Sequence, residues 1–126
     1  MKILLASSGP TDRALQILLL DPSPVYAKKC GGRAVYGRQG LLLDHVRWNE
    51  LRETIQQRII TARLQSDPVF GRILRWSASR PLIHYERGTR ARPPFWGAFL
   101  SKETGEYVGR NVLGTMLMQA RALLHE

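Results

Sequence analysis

The stretch Phe95–Leu124, FWGAFLSKETGEYVGRNVLGTMLMQARALL, constrains the fold more than any other part of the chain. An aromatic-glycine element (Phe95, Trp96, Gly97) passes through a turn rich in Gly and polar residues into an apolar, periodic segment. Val112, Leu113, Met116, Leu117, Ala120, Leu123 and Leu124 recur at helical spacing, which predicts a C-terminal helix with these residues inward and Gln119 and Arg121 outward. Asn111 stands where its side chain is expected to accept from the free amides of the first turn. Gly105 and Gly109 give the approach its backbone freedom. A core helix behind a hairpin accounts for Met116, Leu117 and Leu123. Gly109, Asn111 and the Trp96-Gly97 pair exceed what packing needs.

The length of 126 residues suits one domain with a real core. An apolar fraction of 44% beside 23% charged residues argues for a folded chain rather than disorder. The charge balance is unusual: 19 Lys and Arg against 10 Asp and Glu leave +9, and Arg dominates the bases. Such a surface binds polyanions or phosphorylated ligands, or is neutralised inside an assembly. Arg rather than Lys favours bidentate phosphate contacts and stacking. A single cysteine, Cys30, excludes an internal disulfide framework and a thiolate metal cluster. Its basic neighbours Lys28 and Lys29 favour the thiolate, but no His or Asn partner lies nearby, and the thiol reads as a spectator. No His, Cys and carboxylate spacing suggests zinc, and neither a metal nor a cofactor is expected. No apolar run approaches transmembrane length, and the segment after Met1 stops too soon for a secretory core. A soluble, reducing compartment follows, cytoplasmic or an organellar matrix.

Taken in order, Lys2–Ala6 is a short apolar element, and Thr11 or Asp12 caps a helix through Leu20. Asp21-Pro22-Ser23-Pro24 is a turn, and Pro24 opens a short helix that stops at Gly31-Gly32. Residues 33–43 are ambiguous between strand and loop. Asp44 starts a long helix to about Leu64, with Val46, Leu51, Ile55, Ile59, Ile60 and Leu64 on its buried side. Ser66-Asp67-Pro68 opens another helix to about Trp76. Arg80–Glu86 reads as a strand, and Gly88–Pro94 as a basic loop stopped by proline. The expected fold is α+β and mainly helical, a compact single domain over 1–126 with a few short strands.

Read as an ordered series, these motifs resemble the NADAR superfamily, with its YbiA-like N-glycosidase fold. The residues that carry the resemblance are Phe95-Trp96-Gly97, then Gly109-Arg110-Asn111-Val112-Leu113-Gly114, then Leu117-Met118 and Arg121. Upstream, Ser23-Pro24 with Ala27-Lys28-Lys29 and Arg33 is similar to the family's SP-x-x-AK-x-x-G-R helix, and Trp48 falls where the family has a Trp opening its long helix. Coverage runs from about Asp12 to the C-terminus. The resemblance implies a mostly helical domain whose polar pocket, with Trp96, Gly97 and Asn111 as ligand-binding residues, takes a ribosyl-phosphate or an ADP-ribose-like molecule. Active members hydrolyse an N-glycosidic bond, which needs carboxylates beside the ribose.

The chain departs from that pattern in two places. The family's first acidic helix has no counterpart, so the chain is expected to begin just after its Glu. The second acid, an Asp three residues before the WG tryptophan, is replaced by Pro93, and proline neither polarises water nor stabilises a cation. Glu86 is the best substitute acid and Trp48 the surviving family residue, so these two are the catalytic candidates if the chain is active. Glu50, Glu53 and Glu86 read more simply as ion-pair partners of Arg47, Arg52 and Arg87. His84 reads as a core or edge histidine, and His45 and His125 as surface residues.

The leading expectation is a catalytically degenerate NADAR-like domain, kept as a basic structural and RNA-binding subunit of a larger ribonucleoprotein assembly with neighbouring protein chains. Arg87, Arg90 and Arg92 are the first candidates for phosphate contact, and Lys28, Lys29, Arg33 and Arg38 the second patch. The alternative is an N-glycosidase acting on a ribosyl-phosphate or ADP-ribosyl substrate through Glu86, Trp48, Trp96 and Asn111. A further version has a separate chain supplying the missing acid.

Overall fold

The structure, a computed structural model, describes residues 23, 25, 28 and 43–124. The chain divides into two units, Met1–Ile55 and Gln56–Glu126. The elements expected over Lys2–Ala6 and Thr11–Leu20, the ambiguous residues 33–42, and Cys30 and His125 lie outside the described residues. Val25 and Lys28 are helical, in line with the short helix expected after Pro24.

The described elements run α1 (His45–Ser66), α2 (Pro68–Trp76), β1 (Phe99–Leu100), β2 (Tyr107–Val108) and α3 (Val112–Leu123). Mainly helical with a short antiparallel pair, they match the coarse expectation. Helix α1 starts where Asp44 predicts, because Asp44 Oδ1 accepts from Arg47 N at 3.0 Å and satisfies one of the orphan amides. Its buried side differs from the expected stripe. Ile55 and Ile60 are buried, whereas Val46 is 72% and Ile59 43% exposed. At about 100° per residue, Trp48, Leu51, Arg52 and Ile55 share one face and Gln56, Ile60 and Leu64 another. Ile59 prolongs the first face into the second half, and Val46 anticipates the second face in the first. A single stripe drawn through both halves therefore misplaces them. Glu50 and Glu53 are exposed and form no ion pair among the described residues.

Asp67 organises the next junction. It caps α2 by accepting from Val69 N at 3.0 Å and Phe70 N at 3.1 Å, with Pro68 in the first turn, where a missing N–H costs nothing. Its other carboxylate oxygen lies 3.6 Å from Arg63 Nε. The Arg63 guanidinium in turn sits 4.4 Å from the centre of the Phe70 ring. Asp67→Ala is expected to cost about 1 kcal/mol, measured as a lowered urea midpoint with unchanged slope.

The core of the second unit is Ile60 from α1 with Met116 and Ala120 from α3, and Leu64, Phe70, Trp96, Val112, Leu113 and Leu117 pack against it. Two residues of α3 depart from expectation. Arg121 is buried, not outward: its Nη1 donates to Ser77 Oγ and to Arg80 O, both at 2.8 Å. Ser77 follows the last residue of α2, so the guanidinium closes the negative end of that helix. Leu123 is 67% exposed rather than in the core. It lies about 200° around the helix from Arg121, so turning Arg121 inward turns Leu123 out.

Candidate functional site

The segments 82–86, 94–98 and 109–114 interlock through main-chain bonds. Arg110 N donates to Pro94 O, Asn111 N to Gly97 O, Val112 N to Phe95 O and Leu113 N to Trp96 O, at 2.9–3.2 Å. The first amides of α3 are thus satisfied by the carbonyls of Phe95 and Trp96. Asn111 makes no side-chain cap; it stands in the left-handed region at φ 49°, ψ 39°. This corrects the N-cap expectation, and the reason is that the helix end already has acceptors. Freed from that task, the Asn111 amide serves a neighbouring segment of the same chain. Its Oδ1 accepts from His84 N at 3.0 Å and its Nδ2 donates to Leu82 O at 2.9 Å.

The segment expected as the strand Arg80–Glu86 forms no strand; it holds one isolated parallel bridge, Tyr85 with Ala98. Ala98 N donates to His84 O at 2.9 Å and Glu86 N to Ala98 O at 3.1 Å. Asn111 continues the ladder where the paired backbone ends, so a side chain stands in for a strand. Gly97 and Gly114 permit the approach, since a Cβ on Gly97 would strike His84 O and one on Gly114 would strike Leu82 O and the Asn111 amide.

Glu86 is half-buried, and its carboxylate accepts from Gly97 N at 2.9 Å. The expected pairing with Arg87 is therefore replaced by a bond to a main-chain amide that extended geometry places opposite it. Trp96 belongs to the core, with Phe95 edge-on at 4.9 Å and Arg110 stacked on Phe95 at 4.8 Å. His84 is exposed and held through its backbone, and His45 is exposed at the start of α1. Trp48 lies half-buried on α1 in the first unit. Pro93 is exposed.

Beside the interlocked backbone lies a cleft of about 720 Å³ between the loop 87–91 and the residues 99–103. Arg87, Arg90 and Lys102 line it, with Glu103 as the opposing charge, and Tyr85, Phe99 and Leu100 add apolar surface. The loop is shaped by its own bonds. Thr89 and Arg92 exchange main-chain bonds at 3.3 and 3.1 Å, and Thr89 Oγ1 also accepts from Arg92 N at 3.1 Å. Arg90 Nη2 donates to Thr104 Oγ1 at 2.7 Å, tying the loop to the β1–β2 turn. Arg87, Arg90 and Arg92 are all exposed, as the sequence suggests, but only the first two line the cleft. Of the second patch, Lys28 is exposed and belongs to the first unit, while Lys29, Arg33 and Arg38 lie outside the described residues.

Lys102, Tyr85 and Phe99 were not singled out by sequence reasoning. Tyr85 had a usable signal, since period-two alternation puts it on the same side of the extended segment as Arg87. Lys102 had none, because its place depends on the hairpin bringing it across to the loop.

Comparison with protein-family models, with curated proteins and with solved structures finds no match. Among the described residues no group of His, Cys, Asp and Glu could hold a metal ion, and no helix is long and apolar enough to cross a membrane.

Proposed function

We propose that this chain is a catalytically degenerate NADAR-like domain that acts as a basic, RNA-binding subunit of a larger ribonucleoprotein assembly. The observation that carries the reading is the cleft itself, in which three cations, Arg87, Arg90 and Lys102, meet one acid. Guanidinium groups on a loop whose main chain is already fixed are suited to phosphate oxygens, because less loop ordering is needed on contact. The excess charge of +9 extends the attraction beyond the cleft. The absence of the family's acid at Pro93 supports binding over hydrolysis.

The test is a salt titration of RNA affinity for the wild type and for Arg87→Ala/Arg90→Ala. Each phosphate contact contributes about 0.7 to the slope of log affinity against log salt on single strands. Removing two is expected to lower the magnitude of that slope by about 1.4 and to weaken binding at low salt. An unchanged slope would remove the cleft from the interface.

For the N-glycosidase alternative, Glu86 would have to serve a ribose through Oε1 while Oε2 holds Gly97 N. Release of free base from a ribosylated substrate, lost in Glu86→Gln, would establish that alternative and displace the binding reading.

A further inference from the structure

The interlocked segment 82–86 does more than stiffen the fold, since its Tyr85 and the Arg87 that follows it both line the cleft. Tyr85 is 68% exposed and Leu100 53% exposed, an unusual amount of apolar surface to leave between charged groups. Phe99, half-buried, lines the same cleft. Resting on the RNA reading above, we infer that the cleft takes a base of single-stranded RNA, stacked on Tyr85, with the flanking phosphates on Arg87, Arg90 and Lys102.

Size and shape support a single strand. A volume of about 720 Å³ falls in the range of small-ligand sites, so one nucleotide enters and a duplex does not. An A-form duplex keeps its bases stacked inside and offers protein its phosphates and a shallow minor groove. It would meet the rim cations and leave the Tyr85 ring unused. A single strand can turn one base onto an aromatic face while its backbone follows a cationic groove, and that division of labour matches the residues present. The Arg90–Thr104 bond and the Thr89–Arg92 turn hold the rim in place before the strand arrives.

The experiment measures fluorescence anisotropy of the full chain with four labelled probes at one low salt concentration. They are a twelve-nucleotide oligouridylate, the same strand with abasic riboses, a twelve-base-pair RNA duplex and a poly-glutamate peptide. The expected order is oligouridylate tightest, with the abasic strand and the duplex weaker. Tyr85→Ala is expected to weaken oligouridylate about tenfold and to leave the abasic strand's weaker affinity where it was. Tyr85→Phe, which keeps the ring, is expected to recover most of that loss. Matching circular dichroism of the variants keeps a folding defect from imitating the result.

If Arg87→Ala/Arg90→Ala weakens oligouridylate while Tyr85→Ala does not, the stacking inference falls and the RNA reading stands. Duplex binding as tight as single-strand binding overturns the inference in the same way. Preference for poly-glutamate, or no binding of any RNA probe, overturns both.

Discussion

Gly109→Ala is expected to destabilise the protein by about 3 kcal/mol or more, the sum of a backbone term and an overlap term. Gly109 has φ +134°, a region that L side chains rarely adopt. A Cβ there would also strike Gly97 O and come within 2.8 Å of Ala98 Cα, both main-chain atoms of the segment against which it packs. Neither can yield without disturbing the bonds between Asn111 N and Gly97 O and between Ala98 N and His84 O. Gly105 supplies the control. It too has positive φ, +69°, but an added Cβ meets nothing within 4 Å. Gly105→Ala should therefore cost only the left-handed backbone penalty, about 1 kcal/mol. Urea denaturation of both variants reads the difference. Equal losses would mean that the close approach at Gly109 contributes nothing and that conformation alone explains the glycine.

That contrast shows what the sequence made legible and what it did not. Gly105 and Gly109 both read as sites of backbone freedom, and both have positive φ. Which of them lies against another chain segment depends on Ala98 and Gly97, and only the fold brings those near. The caps at Asp44 and Asp67 were legible because the side chain and the amides it accepts lie within three residues. Asn111 looked the same locally and behaved differently, because carbonyls from Phe95 and Trp96 had already taken the helix amides. Arg121 failed for a related reason. A charged residue in a periodic segment reads as outward, and the Ser77 and Arg80 oxygens that draw it inward are more than forty residues away. At the cleft, the arginines of the loop were legible as charge, and Lys102 became part of the site only through the hairpin.

The motif from Gly97 to Gly114 also has a local physical account. Gly97, Gly109, Asn111 and Gly114 hold three backbone segments together, whether or not anything binds beside them. They form a joint between the β1–β2 hairpin and α3. Residues 82–86 are fixed by the joint and Tyr85 lines the cleft, so a change that loosens the joint is expected to disturb the cleft as well.

Asn111 tests the joint directly. Asn111→Ala is expected to cost about 3 kcal/mol, from two lost hydrogen bonds at about 1 kcal/mol each and the poorer fit of Ala to the left-handed region. Asn111→Gly separates these contributions, because glycine adopts φ 49° without strain and restores neither bond. Its cost should be about 2 kcal/mol, with faster amide exchange at His84, whose N–H loses its acceptor. Asn111→Asp keeps an acceptor for His84 N but turns an ionised oxygen toward Leu82 O, so it should be no more stable than Asn111→Gly. Oligouridylate affinity should fall with these variants too, since the segment bearing Tyr85 and Arg87 loses an anchor. A glycine variant as stable as the wild type, with His84 exchange unchanged, would show that the side-chain bonds hold nothing and that the backbone conformation alone selects asparagine.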